Sequence, residues 1–465
     1  MHPAIRAFRA SRFLMAGLVV VFAMVLAVPA GAQSAIVVQF PPPAQIYGNA
    51  TFVIEGTVGY MPTFDDDVLW SFSTVTGELL DPNGLPLPAP GTASDAFIFG
   101  NHRVAVPGWF PNQSILIADA SNPYDLRLHG IIQLNLYSNV QGQNLEVDPG
   151  GVIGYAASFP NDTLYSFDVE ACQLLDPDGL VLPGNPDRIA LAGQRVAMVD
   201  TTHGDIMVAD VSNPSDLRLA GVIDLPGTNT FGSNDNIVFA ADGRTGFVTS
   251  NERILYAFDV VSLAVLDPDG LAFGTQSFGD NIAIYGNTVA CVWSRGLAFA
   301  DVSNPYDLRL ISNANFGGTV APPGSAWVAF TADGRGAAIP VVYPGNYVYT
   351  FDVATGAQVW PPFPVEQGPN YLSVYGNCNR IGVICSGQTP GVWLIDGLFG
   401  HRLGDLNCSG AVNFEDINPF VLALSDPAGW QAAYLGCPIA NGDINGDGRM
   451  DFDDINPFVA LLSSR

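Results

Sequence analysis

The segment ILIADASNPYDLRL at residues 115–128 returns as IMVADVSNPSDLRL at 206–219 and as LAFADVSNPYDLRL at 297–310, 91 residues apart each time. A period this long and regular signals a repeat architecture, and it must be read before local structure. A second series runs between these copies. It reads LWSFSTVTGELLDPNGL from Leu69, LYSFDVEACQLLDPDGL from Leu164, LYAFDVVSLAVLDPDGL from Leu255 and VYTFDVATGAQVW from Val348, with starts 95, 91 and 93 residues apart.

Both series obey one plan: a hairpin, a third strand ending in Asp, a turn and a short fourth strand. The first series opens on FIFGNHRVAV (97–106), IALAGQRVAM (189–198), IAIYGNTVAC (282–291) and LSVYGNCNRIGVI (372–384); the second uses FAADGRTGFV (239–248) and FTADGRGAAI (330–339). Gly-Asn and Asp-Gly between alternating apolar residues are hairpin signals, because such turns need positive φ. The third strands end at Ser73, Asp119, Asp168, Asp210, Asp259, Asp301, Asp352 and Asp396, 42 to 51 residues apart. Units of about 40–50 residues match four-stranded propeller blades. The expected fold is therefore all-β, an eight-bladed β-propeller, with seven blades as the alternative count. The last unit leaves no room for a fourth strand after 392–396, while residues 35–40 form an unassigned β-prone segment. The two are expected to pair and close the ring, removing two sheet edges.

The repeated polar residues have a structural reading. Asp210, Ser212, Asn213 and Pro214, with their counterparts, cap a strand end and begin a turn. The DPDG segments at 176–179 and 267–270 suit type I turns with Pro at the second position, a calcium role being the alternative.

Composition agrees with short strands joined by turns. The 465 residues include 50 Gly and 35 Pro, are 48% hydrophobic and only 13% charged, and have a mean hydropathy of +0.25. The net charge of −27 comes from 44 acids against 17 basic residues, all of them Arg. Nucleic acid is thereby not an expected partner, since phosphate neutralisation needs clustered cations. Lysine-centred covalent chemistry is excluded.

The first residues read as a targeting segment. Arg6, Arg9 and Arg12 form a basic region, 14–27 an apolar run, and 30–32 an A-x-A cleavage site, so the mature chain is expected to begin at Gln33. The apolar run falls short of the roughly 20 residues that span a bilayer, and no later segment reaches that length. A secreted or cell-surface protein without a membrane span in its mature form is the expectation.

The last 65 residues differ in kind. DLNCSGAVNFED at 405–416 and DINGDGRMDFDD at 443–454 are each followed by INPFV. Both place oxygen donors at loop positions 1, 3, 5, 9 and 12 with Gly at 6, the spacing that wraps ligands around one calcium ion. The first site would use Asp405, Asn407, Ser409, Asn413 and Asp416, with the Ala411 carbonyl. The second would use Asp443, Asn445, Asp447, Asp451 and Asp454, with the Arg449 carbonyl. Two Ca2+ ions are expected, and four carboxylates against two imply tighter binding in the second loop. Pro419 and Pro457 would enter the following helices at their first position, with Asn418 and Asn456 as caps.

The six cysteines meet an oxidising compartment if the chain is exported. Were Cys378 and Cys385 on one strand, their separation of roughly 23 Å would far exceed the reach of a disulfide, so pairing them needs a sharp bend. Cys408 and Cys437, flanking the segment between the calcium loops, are the expected pair.

In its DVSNP strand ends and DG-R hairpins, residues 35–400 resemble the bacterial YVTN and LVIVD families of extracellular propeller repeats. The duplicated loop-helix unit at 401–465 resembles a type I dockerin, which implies calcium-dependent docking to a cohesin-like protein domain. Loop positions 10 and 11 are Phe414 and Glu415, then Phe452 and Asp453, where the family carries small hydroxyl residues, so partner specificity does not carry over. The resulting division is 1–32 signal peptide, 33–400 propeller and 401–465 dockerin-like domain.

No catalytic residue emerges. His102, His129, His203 and His401 are scattered, and no GxSxG, P-loop or HExxH motif occurs. Asp65, Asp66 and Asp67 are a candidate acidic cluster, whose structural reading is a solvated loop. The expectation is a non-enzymatic scaffold, with a polysaccharide or cell-surface component as a further ligand. A glycoside hydrolase or lyase is the alternative, because propeller active sites draw carboxylates from several blades.

Overall fold

The computed structural model describes residues 34–463 except 42–43, 45–50, 64–65, 89–95, 108–113, 135–143, 159–160, 228–230, 232–235, 251, 274–278, 294–295, 316–326, 332–333, 342–344, 360, 366–368, 376–379, 386–390, 397–402, 410–411, 435–436, 438 and 446–448. The expected signal segment, Asp65, Cys378, Ala411 and Asp447 therefore lie outside the described residues.

Eight antiparallel sheets follow one another along the chain, each built of successive strands apart from the closing strand of the last. They are blades one to eight, spanning 53–86, 97–133, 145–181, 186–223, 237–272, 279–315, 329–364 and 369–396. Every third strand ends on the residue that marks the repeat, from Val68–Ser73 in blade one to Gly391–Asp396 in blade eight. The fourth strand differs between the two series. It is long after the DLRL segments, as in Arg127–Gln133, and reduced to two-residue pieces such as Leu85–Pro86 after the others. First strands of neighbouring blades touch one another, which places them innermost, around the central axis.

Ring closure follows the expectation. Ser34–Gln39 pairs antiparallel with Gly391–Asp396 in the register Ser34 to Asp396 through Gln39 to Gly391, supplying the fourth strand of blade eight.

Each blade packs both faces, so each junction between blades has its own apolar core. The core between blades one and two holds Tyr60, Leu69, Val104 and Leu116; that between eight and one holds Val38, Phe52, Phe72 and Leu394. In blades one, three and five a glycine in the second strand faces a phenylalanine of the third. A Cβ on Gly154 would stand 2.0 Å from Phe167 Cζ, and Gly59 and Gly246 meet Phe72 and Phe258 in the same way. Gly154→Ala is therefore expected to destabilise the propeller by about 1–3 kcal/mol through overpacking. A urea melt with an unchanged midpoint would contradict this.

The strand-end caps behave as read. Asp119, Asp210 and Asp301 accept N–H bonds from Ser121, Ser212 and Ser303 at 3.0, 3.0 and 2.9 Å. The Ser212 hydrogen bonds hold the Asp210 carboxyl down at about 2, helped by Arg195. The DPxG aspartates do more than make turns. Asp81, Asp176 and Asp267 each reach into the next blade, where Oδ2 accepts the N–H of Leu126, Leu217 and Leu308 at 3.1, 2.9 and 3.0 Å. Their other oxygens serve turn N–H groups, including Gly179 and Gly270, which assigns these carboxylates to tying blades together.

Among the described residues the C-terminal segment carries three α-helices, α1 (Ile417–Ser425), α2 (Pro427–Ala433) and α3 (Ile455–Ser463). Its core of Leu406, Val412, Phe420, Ala423, Trp430, Cys437 and Phe458 draws on none of the blades. The two INPFV copies meet there, with the Phe420 and Phe458 rings stacked 4.3 Å apart. Cys408 and Cys437 form a disulfide with their Cα atoms 5.8 Å apart. Among the others, Cys172 and Cys291 are unpaired, and Cys385 is buried in the second strand of blade eight.

One local expectation is corrected. Asn418 and Asn456 are not helix caps. A 3-10 turn at Phe414–Asp416 runs directly into α1, and another at Phe452–Asp454 runs into α3. The caps are Asn413 and Asp451, each in a capping box with Asp416 or Asp454. Nor do the prolines stand at the first helical position as expected: Pro419 and Pro457 are the third residues of α1 and α3, which Ile417 and Ile455 open.

Candidate functional site

The two calcium loops close in the same way. Asp416, wholly buried at loop position 12, accepts N–H bonds from Leu406 (2.9 Å), Asn407 (3.0 Å) and Asn413 (2.9 Å). Asp454, equally buried, accepts from Ile444 (2.7 Å), Asn445 (3.0 Å) and Asp451 (2.9 Å). In the first loop the Ser409 N–H lies within 3.0 Å of both Asp405 Oδ1 and Asn407 Oδ1, bringing the donors at positions 1 and 3 together. Asn441 Nδ2 binds the Asp405 carbonyl at 2.7 Å, and Trp430 Nε1 the Leu406 carbonyl at 3.2 Å, anchoring the loop on the small core.

The donor set is all oxygen and thus fits a hard cation. Burial pushes the Asp416 carboxyl upward against the lowering pull of its three N–H partners. Asp443 is half-buried and Arg449 exposed. Among the described residues no three His, Cys, Asp or Glu side chains cluster as a metal group. The first loop offers only two carboxylates, and Asp447 of the second lies outside the described residues.

On the same segment, equivalent apolar side chains of the two copies are exposed in pairs. Phe414 and Phe452 are 77% and 73% exposed, and Ile417 with Ile455 and Val421 with Val459 continue the pattern along α1 and α3.

A second constellation, missed by sequence reading, lines the axis of the ring. One-residue bulges near the start of the inner strands of blades four, six and eight place Arg188, Asn281 and Tyr371 at equivalent positions. Arg188 crosses the channel, its guanidinium carbon 5.7 Å from the Trp327 ring of blade seven. Trp327 meets Tyr371 at 5.1 Å and Tyr371 meets Phe52 at 5.5 Å, both edge-on. The Arg188 N–H is fixed by Asn144 Oδ1 of blade three at 2.7 Å. Beside this belt lies a pocket of about 640 Å3 lined by Phe52, Val53, Ile54, Phe97, Tyr371 and Ser373, among others.

Two carboxyls lie on the adjacent inner strands of blades three and four. Glu146 lies on the inner strand of blade three and Asp187 at the bulge of blade four. Burial raises Glu146 from 4.5 to about 7. It also raises Asp187 from 3.8 to about 6, against the lowering effect of Arg188. The folded chain therefore holds these protons where the unfolded chain has released them. The stability they favour is full below the unfolded values and is lost as pH rises through about 6 to 7. Urea midpoints of the wild type should fall between about pH 5 and pH 8 more than those of Glu146→Gln; equal falls would contradict this assignment.

Other sequence candidates are structural. Asp66 accepts a hydrogen bond from Thr63 Oγ1 at 2.6 Å, and the Asp67 carbonyl accepts the Leu87 N–H at 2.7 Å. His102 and His129 of blade two pair with Glu55 of blade one and Glu170 of blade three, and His203 pairs with Asp200 within blade four.

Fold and topology define a β-propeller. No protein-family model matches the chain, and no curated protein matches it. Among solved structures it is similar to the computationally designed Ika8 protein, at 13% identity and a TM-score of 0.55, covering 76% of this chain and 96% of that one. It also matches the β-propeller domain of Cps50 (Swd1) from Myceliophteria thermophila, at 12% identity and TM-score 0.48, covering 65% and 96% of the two chains. A functionally unknown protein from Desulfotomaculum acetoxidans matches at 14% identity and TM-score 0.48, covering 68% and 99%. At such identities the likeness concerns fold alone. Among the described residues no helix is long and apolar enough to cross a membrane.

Proposed function

We propose that this chain is an exported, non-enzymatic binding protein whose C-terminal module, loaded with two Ca2+ ions, docks it to a cohesin-like protein domain. The observation that carries this reading is the matched closure of the two loops, in which Asp416 and Asp454 gather the same three backbone N–H groups. A bound cation would be held by Asp405, Asn407, Ser409, Asn413 and Asp416 in one loop. In the other it would be held by Asp443, Asn445, Asp447, Asp451 and Asp454, and it would neutralise carboxylates that otherwise repel. The exposed apolar side chains repeated on and beside α1 and α3 support a docking role, since exposed apolar groups repeated in both copies are of the kind that mark protein contacts. Phe414 and Phe452 call for a partner with apolar pockets.

The test is surface plasmon resonance of the full chain over a set of immobilised type I cohesin domains. Binding by at least one domain in calcium, release by EDTA, and weakening by Phe414→Asp with Phe452→Asp are expected. No binding by any domain would overturn the docking reading.

A glycoside hydrolase or lyase is the second reading, favoured by two carboxyls with raised pKa on adjacent inner strands, Glu146 and Asp187.

A further inference from the structure

We propose that the central channel of the propeller is a saccharide-binding site, with Tyr371 and Trp327 as stacking surfaces and Asn281, Glu146 and Asp187 as hydrogen-bonding groups. The first ground is a departure from the repeat. Strand register makes Glu146 the counterpart of Val53 in blade one, Val238 in blade five and Ala329 in blade seven. Those three residues pack into the apolar cores between blades, and Val53 also lines the pocket. An ionisable side chain at that height, in one repeat of four, has no packing rationale.

The second ground is independent. Asn281 is 1% exposed, yet neither its Oδ1 nor its Nδ2 has a hydrogen-bond partner. It shares its bulge position with Arg188, which crosses the channel, and with Tyr371, which lines the pocket. A buried amide left unsatisfied is costly, and a ligand supplying one acceptor and one donor would remove that cost.

The inner strands around the axis have two characters. Blades eight, one and two carry the pocket residues Tyr371, Phe52, Val53, Ile54 and Phe97; the inner strands of blades three, four and six carry Glu146, Asp187, Arg188 and Asn281. A pyranose ring has the matching pair of surfaces, a C–H face that stacks on aromatic rings and a rim of hydroxyls that both donate and accept. The pocket on the Tyr371 side, of about 640 Å3, is of the size that holds a small ligand of a few rings.

The inference does not rest on the docking reading, and a chain that fails to bind any cohesin can still pass the test. Full-length protein in calcium would be titrated calorimetrically with xylohexaose, cellohexaose and mannohexaose, with product release followed in parallel. Binding of at least one in the millimolar range or tighter is expected, weakened about tenfold or more by Glu146→Val and by Asn281→Leu. Glu146→Val installs the residue of blades one and five, and Asn281→Leu removes the unsatisfied amide, so both variants should melt at or above the wild-type temperature. Cleavage of a bound hexasaccharide would support the site equally. Failure of all three to bind, or binding that survives both substitutions, would overturn the proposal.

Discussion

Deleting residues 34–39 is expected to unfold the propeller. The strand is sequence-remote from its partner, yet its alternating residues complete two different cores. Ala35 and Val37 face the junction of blades seven and eight; Ile36 and Val38 face that of eight and one. Val38 is wholly buried and Ala35 nearly so. Their loss, with the ladder of hydrogen bonds to Gly391–Asp396, removes on the order of 5 kcal/mol or more, comparable with the whole stability of many domains. It also leaves an open edge on blade eight that invites aggregation. A milder version is Val38→Asp, which buries an unpaired charge. Calorimetric melting should show the main transition lost or strongly lowered in the deletion. A wild-type transition would mean that the ring does not depend on this closure.

The second large effect is expected from calcium removal. Among the described residues the module at 403–463 has a core of seven buried side chains, one of them half of the Cys408–Cys437 disulfide, a small reserve for a segment holding nine acids against three arginines within 401–465. Without a cation the carboxylates of the two loops repel one another, and binding free energy is then folding free energy. In EDTA the amides of Leu406, Asn407, Asn413, Ile444, Asn445 and Asp451 should lose their protection from hydrogen exchange. Amides of the blade strands should keep theirs, because those strands hold no part of the loops. Unchanged protection at the loop amides would contradict the assignment, and loss across the blades would contradict the division into separate units.

Much of this arrangement was legible in the sequence because it is written locally and repeated. The 91-residue spacing located the blades, and the marker residue at each third-strand end, Asp in every blade but the first, fell where the strands stop, because Asp caps turn N–H groups whichever blade it sits in. The closing strand was visible as a unit missing from one end and a surplus at the other. What was not legible depends on contacts between blades. DPDG reads as a turn, but nothing in it shows that Asp176 also holds Leu217, 41 residues away. Arg188 and Trp327 meet only because the ring brings blades four and seven across one channel. Aligning the inner strands would have marked Glu146 as the residue out of pattern against Val53 and Val238. The helix caps were misplaced for another reason: proline at a helix start suggested Asn before it, whereas the 3-10 turns begin the helices one turn earlier.

The central claim is that the two C-terminal loops are calcium sites that control docking. Its most direct test is a calorimetric titration of calcium into the full chain after chelation, repeated on Asp443→Ala with Asp447→Ala. Two ions are predicted to bind the wild type, with the tighter site lost in the double variant and cohesin capture falling with it. Absence of calcium binding, or a double variant that titrates like the wild type, would contradict the account.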